Sequence, residues 1–130
     1  MRRVLAYVWA SPNTALGLVA ALVTSIPGGR SRWVDGVLEC SGPGRREILR
    51  RLPLVAGGAA AVTLGHVVLG TSSAVLEQTR AHERVHVQQY ERWGPFFLPT
   101  YFLSSLLCLV WGGNPYLDNP FEKEAFRRGG

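Results

Sequence analysis

One hundred and thirty residues make a single domain with enough material for one modest core. Charged residues form 18% of the chain, against about 25% in an ordinary soluble domain; with 47% hydrophobic residues and a positive mean hydropathy, it is more apolar than a freely soluble protein of this size needs to be. The formal net charge of +5 sits in clusters beside apolar runs (Arg2-Arg3, Arg30 with Arg32, Arg45-Arg46, Arg50-Arg51, Arg127-Arg128), which suits an anionic membrane surface; with no nucleic-acid motif or aromatic-rich basic face, nucleic acid is not an expected partner.

From Val4 to Gly29 no residue is charged, although "SPNT" at 11–14 interrupts the run. Ser11 or Asn13 is placed to cap a helix through "ALGLVAALVTSI", ended by Pro27-Gly28-Gly29. Behind Met1-Arg2-Arg3 this segment resembles a signal anchor or an unusually apolar signal peptide. No small-x-small cleavage pattern precedes the glycines, so residues 1–29 are predicted to stay as a membrane anchor and residues 30–130 to form the domain proper. The competing reading is a buried helix of a soluble core.

"SRWVDGVLEC" reads as a strand with a turn at Asp35-Gly36, and "GPGRREILRRLP" as a basic loop or short helix. "GGAAAVTLGHVVLG", residues 57–70, is apolar, β-branched and glycine-bounded, so it reads as a second strand. Ser72-Ser73 opens a long charged helix over about residues 73–93, stopped by Gly94-Pro95. "PFFLPTYFLSSLLCLVW", residues 95–111, is uncharged, and "GGNPY" ends it. Asn119-Pro120 then opens a short terminal helix, with asparagine as cap and proline in the first turn. Cys40 and Cys108 form no CxxC pair and no disulfide framework.

The chemistry lies in "HERVH", residues 82–86. Residues four apart share a helix face about one turn apart, so His82 and His86 can turn two imidazoles toward one metal ion. Glu83 is offset around the helix, where its carboxylate can reach a water at the metal without ligating the metal itself. Two neutral nitrogen ligands, a base and a third ligand from elsewhere are what a zinc hydrolase needs. The bland alternative is a solvated helix face. Arg92 and Gln89 stand where the metzincin pattern requires histidine and glycine, which leaves a carboxylate as the expected third ligand.

"HERVHVQQYERWGPFFLPTYFL … NPYLDNPFEKEAF" resembles the small bacterial gluzincin-type metallopeptidase domains, in which HExxH is followed by a helix carrying ExxA. The resemblance is strongest over residues 59–126. It implies an α+β, minimal zincin-like domain: a small β-sheet, a long HExxH active-site helix, an apolar helix and a short C-terminal helix, here preceded by the apolar N-terminal helix. It further implies zinc as cofactor, a peptide or protein as substrate, His82, His86 and Glu122 as metal ligands, and Glu83 as general base. Phe126 departs from the pattern, since thermolysin-type relatives often place an aspartate there to orient a ligand histidine; Asp118 or Asn119 would have to take that role. Tyr116 or His66 is the candidate transition-state donor.

Glu122 has a second reading, because Asn119 to Glu122 has capping-box spacing, in which the carboxylate only ties down the helix start. Glu124 is then the alternative ligand; it lies about 200° around the helix, so the two cannot both face the metal. His66, alone on an apolar strand, reads more readily as a packed side chain than as a ligand.

A span through residues 95–111 would put the histidines and Glu122 about 30 Å apart, whereas zinc ligands converge to within about 2 Å of one ion. The zinc reading therefore predicts a buried or interfacial helix that returns to the same side, with "GGNPYLDNP" reversing the chain. The function expected is metal-activated hydrolysis of a peptide bond at a membrane. The alternatives are an inactive zinc-binding, membrane-associated protein acting through a partner, and an integral membrane protein with a chance HExxH, two spans and no stoichiometric metal.

Overall fold

The computed structural model describes residues 2–23, 30–42 and 61–129. The expected helix stop at Pro27-Gly28-Gly29, the basic segment 43–53 and the start of the second predicted strand, 57–60, lie outside the described residues.

The first helix, α1 (Arg2–Val23), does not begin at Ser11 or Asn13; it runs through "SPNT" with Pro12 inside it. Proline brings no N–H, so the carbonyl of Val8 loses its helical donor. Ser11 supplies a replacement, its hydroxyl donating to Val8 O at 2.7 Å. Asn13 points inward and donates from Nδ2 to Gly94 O at 2.8 Å. Ala10, Asn13, Gly17 and Ala21 recur at spacings of three and four, which makes one face of small side chains. That face packs on the rest of the chain: Ala10 joins Tyr90 and Phe97, and Ala21 joins Cys40, Val67 and Leu69. Helix α1 is thus part of the same body as the sheet, rather than a segment set apart from it.

The strand with a turn at Asp35-Gly36 is a hairpin of β1 (Arg30–Val34) and β2 (Val37–Ser41). Asp35 and Gly36 both have positive φ, 50° and 81°, the requirement of a two-residue type I′ turn. The segment predicted as one strand over 57–70 is instead two, β3 (Ala61–Leu64) and β4 (Val67–Gly70), paired antiparallel about Gly65-His66. Gly65, at φ 62°, permits the reversal inside an otherwise continuous apolar run. Strands β2 and β4 pair in parallel, giving a mixed sheet in the order β1-β2-β4-β3.

Helix α2 (Ser73–Trp93) lies on the opposite face of the sheet from α1. Alternation along the strands divides the core: Cys40, Val67 and Leu69 face Ala21 of α1, whereas Val37 and Val68 face Leu76 and Val87 of α2. Strand β4 is therefore buried on both sides, which explains its lack of polar alternation. Ser72 caps α2, accepting from the Val75 N–H at 3.1 Å, and Gly94 ends it at φ 58°. On the sheet's α2 face, Glu39 takes both Arg80 (2.9 Å twice) and Arg84 (3.1 Å).

After a single 3-10 turn, Gly94–Phe96, come the apolar helix α3 (Phe97–Val110) and the terminal helix α4 (Pro120–Gly129). Asn119 caps α4 as expected, accepting from the Phe121 N–H at 2.9 Å. Its amide donates to Tyr101 O and Ser105 Oγ, which fastens the start of α4 to α3. Two helical stretches are long and apolar enough to cross a membrane, Val4–Leu22 and a window within the contiguous run Ser73–Val110.

The hairpin turn of β3-β4 meets α1 very closely: a methyl at Gly65 would lie 2.3 to 2.8 Å from Thr14 hydroxyl and backbone atoms. Gly65→Ala combines left-handed strain with overpacking against a backbone, and should destabilise the fold by about 2–4 kcal/mol. Chemical denaturation checks this; an unchanged midpoint would mean that α1 is not docked on the sheet.

Candidate metal centre

His82 and His86 sit one turn apart on α2, on the face that α4 covers. Helix α4 runs antiparallel to α2, with Phe121 against Trp93 at one end (ring centroids 5.7 Å) and Gly129 against Ala81 at the other. That path brings the Glu122 carboxylate between the histidines. Its Oε1 lies 3.0 Å from His82 Nε2 and 3.0 Å from His86 Nε2. All three residues are buried, and their ligand atoms lie within 4.8 Å of one another. Among the described residues this is the one group of three or more His, Cys, Asp or Glu side chains placed to hold a metal ion.

Glu122 is therefore not held in a capping box. Asn119 N donates to Tyr116 O, and the Glu122 carboxylate is taken up by the histidines and by Tyr101, whose hydroxyl donates to Oε2 at 2.6 Å. Glu124 points elsewhere, accepting from Gln89 Nε2 at 2.7 Å. Glu83 is buried on the sheet side of the cluster, where the Thr63 hydroxyl of β3 donates to its Oε2 at 3.1 Å.

The support of the histidines differs from expectation. Asp118 accepts from the Asn114 N–H, and Asn119 serves α3 and α4, so neither orients an imidazole. Gln89 does: its Oε1 meets His86 Nδ1 at 2.8 Å, while its Nε2 also donates to Phe121 O at 3.0 Å. This pairing protonates Nδ1 and turns the Nε2 lone pair toward the cluster. His82 Nδ1 is buried without a partner, and Phe126 packs beside that ring at 4.4 Å between centroids.

Of the two candidate donors, His66 is not at the cluster. Its Nε2 pairs with Glu91 at 2.7 Å, eight residues beyond Glu83 and so about 12 Å along α2. Tyr116 stands against Phe126 (5.9 Å), with its phenol raised above the usual range by burial and then by the charge of Glu122. Sequence reading missed Thr63, Gln89 and Tyr101. Each carried a faint signal: Gln89 is three residues from His86 on the same face, Thr63 is the one hydroxyl in β3, and Tyr101 is the one phenol in the apolar run.

Burial raises the Glu83 carboxyl above its ordinary range, opposed by the nearby histidines. Burial would also raise Glu122, but hydrogen bonds from His82, His86 and Tyr101 outweigh it and hold the carboxyl down at about 2. At His86 burial disfavours the charged ring, yet Glu122 overcomes this and lifts the group to about 9. A metal ion entering here would take the place of a proton shared between carboxylate and imidazoles. The donor set fits such an ion. Bonds of about 2.0–2.1 Å in tetrahedral geometry hold ligand atoms about 3.3 Å apart, so each oxygen–nitrogen pair at 3.0 Å needs to open only slightly.

The chain matches no protein-family model, no curated protein and no solved structure.

Purified protein should carry close to one divalent metal ion per chain, with sharp loss in His82→Ala and His86→Ala. Gln89→Leu removes the group that orients His86, together with its bonds to Phe121 O and Glu124, but leaves His82, His86 and Glu122 themselves, so metal affinity should fall about 10–100-fold while binding persists. Elemental analysis and chelator competition measure both, and equal metal content in wild type and the histidine variants would refute the site.

Proposed function

We propose that the chain is a small, gluzincin-like, zinc-dependent peptide-bond hydrolase. The observation that carries this reading is the meeting of Glu122 Oε1 with both Nε2 atoms at 3.0 Å, with Glu83 buried on the neighbouring face of the same helix. Two imidazole nitrogens and one carboxylate oxygen form the donor set of catalytic zinc sites, which keep a fourth position open. When bound, zinc would polarise a peptide carbonyl and make water a stronger acid.

The rest of the chemistry belongs to the chain's own side chains. Glu83 accepts a proton from water and returns it to the departing amine, a task favoured by a carboxyl raised above its ordinary range. Thr63 holds one oxygen of that carboxylate, which limits its rotation. Tyr101 holds Glu122 Oε2 and so keeps Oε1 directed at the histidines. Strand β3 is an edge of the sheet and passes Glu83 at Thr63, whose own carbonyl is held by the Tyr90 hydroxyl at 2.8 Å, so the strand beside the carboxylate is fixed in place.

A second reading is a metal-binding protein without turnover, acting through a partner. It is favoured by one observation: Phe126 and an unpartnered Nδ1 stand at His82 where an orienting carboxylate would be expected. One substitution separates the two. Glu83→Gln keeps the shape and the ligands, so zinc should remain bound while peptide hydrolysis falls by at least about 100-fold. Activity that survives the substitution removes Glu83 as base; absence of activity in the metal-loaded wild type favours the second reading.

A further inference from the structure

Helix α1 is buried along one side only. On the other, Val8, Val19 and Leu22 are 59–75% exposed, and along α3 and at its C-terminal cap Leu103, Val110 and Trp111 are 57–80% exposed. The two apolar faces are continuous, because Trp9 of α1 meets Phe96 at the entry to α3 in a tilted ring contact (6.1 Å between ring centroids), and both rings are themselves exposed. A patch running the length of two helices is larger than soluble monomers present to water.

Charge indicates what covers it. The stretch Val4–Leu22 contains no charged residue, while the chain carries a net +5, and Arg30, Arg32, Lys123, Arg127 and Arg128 are exposed. A second copy would bring one net positive charge against another. An anionic lipid surface complements both the apolar patch and the basic residues.

Contacts along α1 decide its orientation. Tyr7 donates to Gly36 O at 2.6 Å, Asn13 to Gly94 O, Gly17 lies on Leu64 O, and Ala21 packs on Cys40. The fifteen residues from Tyr7 to Ala21, about 21 Å of helix, are thus bound to the folded domain. Setting α1 across a bilayer would carry the Asp35-Gly36 turn and the flank of the sheet into hydrocarbon, where unpaired backbone groups and charge are excluded. Helix α3 alone, with 14 residues, is about 21 Å long against a hydrocarbon core of about 30 Å; the apolar window of crossing length is reached only by taking in residues before it, where Gly94 is bound to Asn13 of α1. We propose that the outer faces of α1 and α3 form one docking surface for an anionic lipid bilayer, on which both helices lie in the plane of the interface instead of crossing it.

This surface does not depend on the metal chemistry, and vesicles test it alone. Full-length protein, purified in mild detergent, is mixed with phosphatidylcholine vesicles or with vesicles also containing phosphatidylglycerol, and the detergent is removed before flotation. Binding should favour the anionic vesicles and weaken with salt. Val8→Glu and Val110→Glu, both at exposed positions, should each weaken it about tenfold or more. Orientation is read by quenching with lipids spin-labelled near the headgroup or near the chain end; because Trp9, Trp33 and Trp93 also emit, the signal of Trp111 is taken as the difference between wild type and Trp111→Phe, and that of residue 16 as the difference between a Leu16→Trp variant and wild type. Stronger quenching from the shallow label at both positions supports the in-plane arrangement. Deeper quenching at residue 16 shows a span and overturns it. Indifference to anionic lipid, indifference to the glutamate substitutions, or self-association without vesicle binding also overturns it.

Discussion

A buried carboxylate loses its hydration and must recover it from donors in the protein, and Glu122 recovers it from two neighbouring helices at once. Its own helix α4 supplies the oxygen atoms, α2 supplies His82 and His86, and α3 supplies the Tyr101 hydroxyl. Without those partners, a negative charge at this depth would be strongly unfavourable. The same group therefore decides how the C-terminal half is assembled and what chemistry it offers. The apolar helix α3 is positioned by a charge as much as by its own side chains, and Asn119 fixes the joint from the other side through Tyr101 O and Ser105.

The N-terminal half follows a different rule. Its sheet is covered by α1 on one face and α2 on the other, so β4 is wholly apolar, while the polar residues that remain inside are paired: Glu39 with Arg80 and Arg84, Thr63 with Glu83. Because β3 and α2 meet at Thr63, Glu83 is tied to the sheet while the histidines one face away are tied to α4. One helix thereby divides Glu83 and the two histidines between two supports.

Local chemistry was legible where a residue's reason for being there is local. Ser72 and Gly94 bound α2, Asp35-Gly36 makes a turn, and Asn119 caps α4, each through backbone conformation or hydrogen bonds within a few residues. The histidine pair followed from helical spacing, and the approach of Glu122 from requiring that ligands converge. Reading failed where tertiary contact overrides local preference. Pro12 reads as a break, yet Ser11 restores the lost hydrogen bond and Asn13 is held by Gly94, 81 residues away. Gly65 reads as a strand residue until one sees that α1 presses on the turn it makes. The capping-box spacing of Glu122 was genuine but outcompeted by two imidazoles and a phenol, none adjacent in sequence. Gln89 and Tyr101 had no motif to announce them, because orienting a ligand requires only a polar atom in the right place.

Gly36 and Cys40 aside, the partners of α1 lie late in the chain, at Val67, Tyr90, Gly94 and Phe97. A ribosome adding about 5–20 residues each second needs several seconds to travel from Asn13 to Gly94. During that interval most of the inner face of the helix has nothing to rest on, and that surface is available to whatever apolar environment it meets first. Delivery to a membrane before the body is complete, followed by folding of the later residues against an already seated helix, is the assembly order to which this arrangement lends itself.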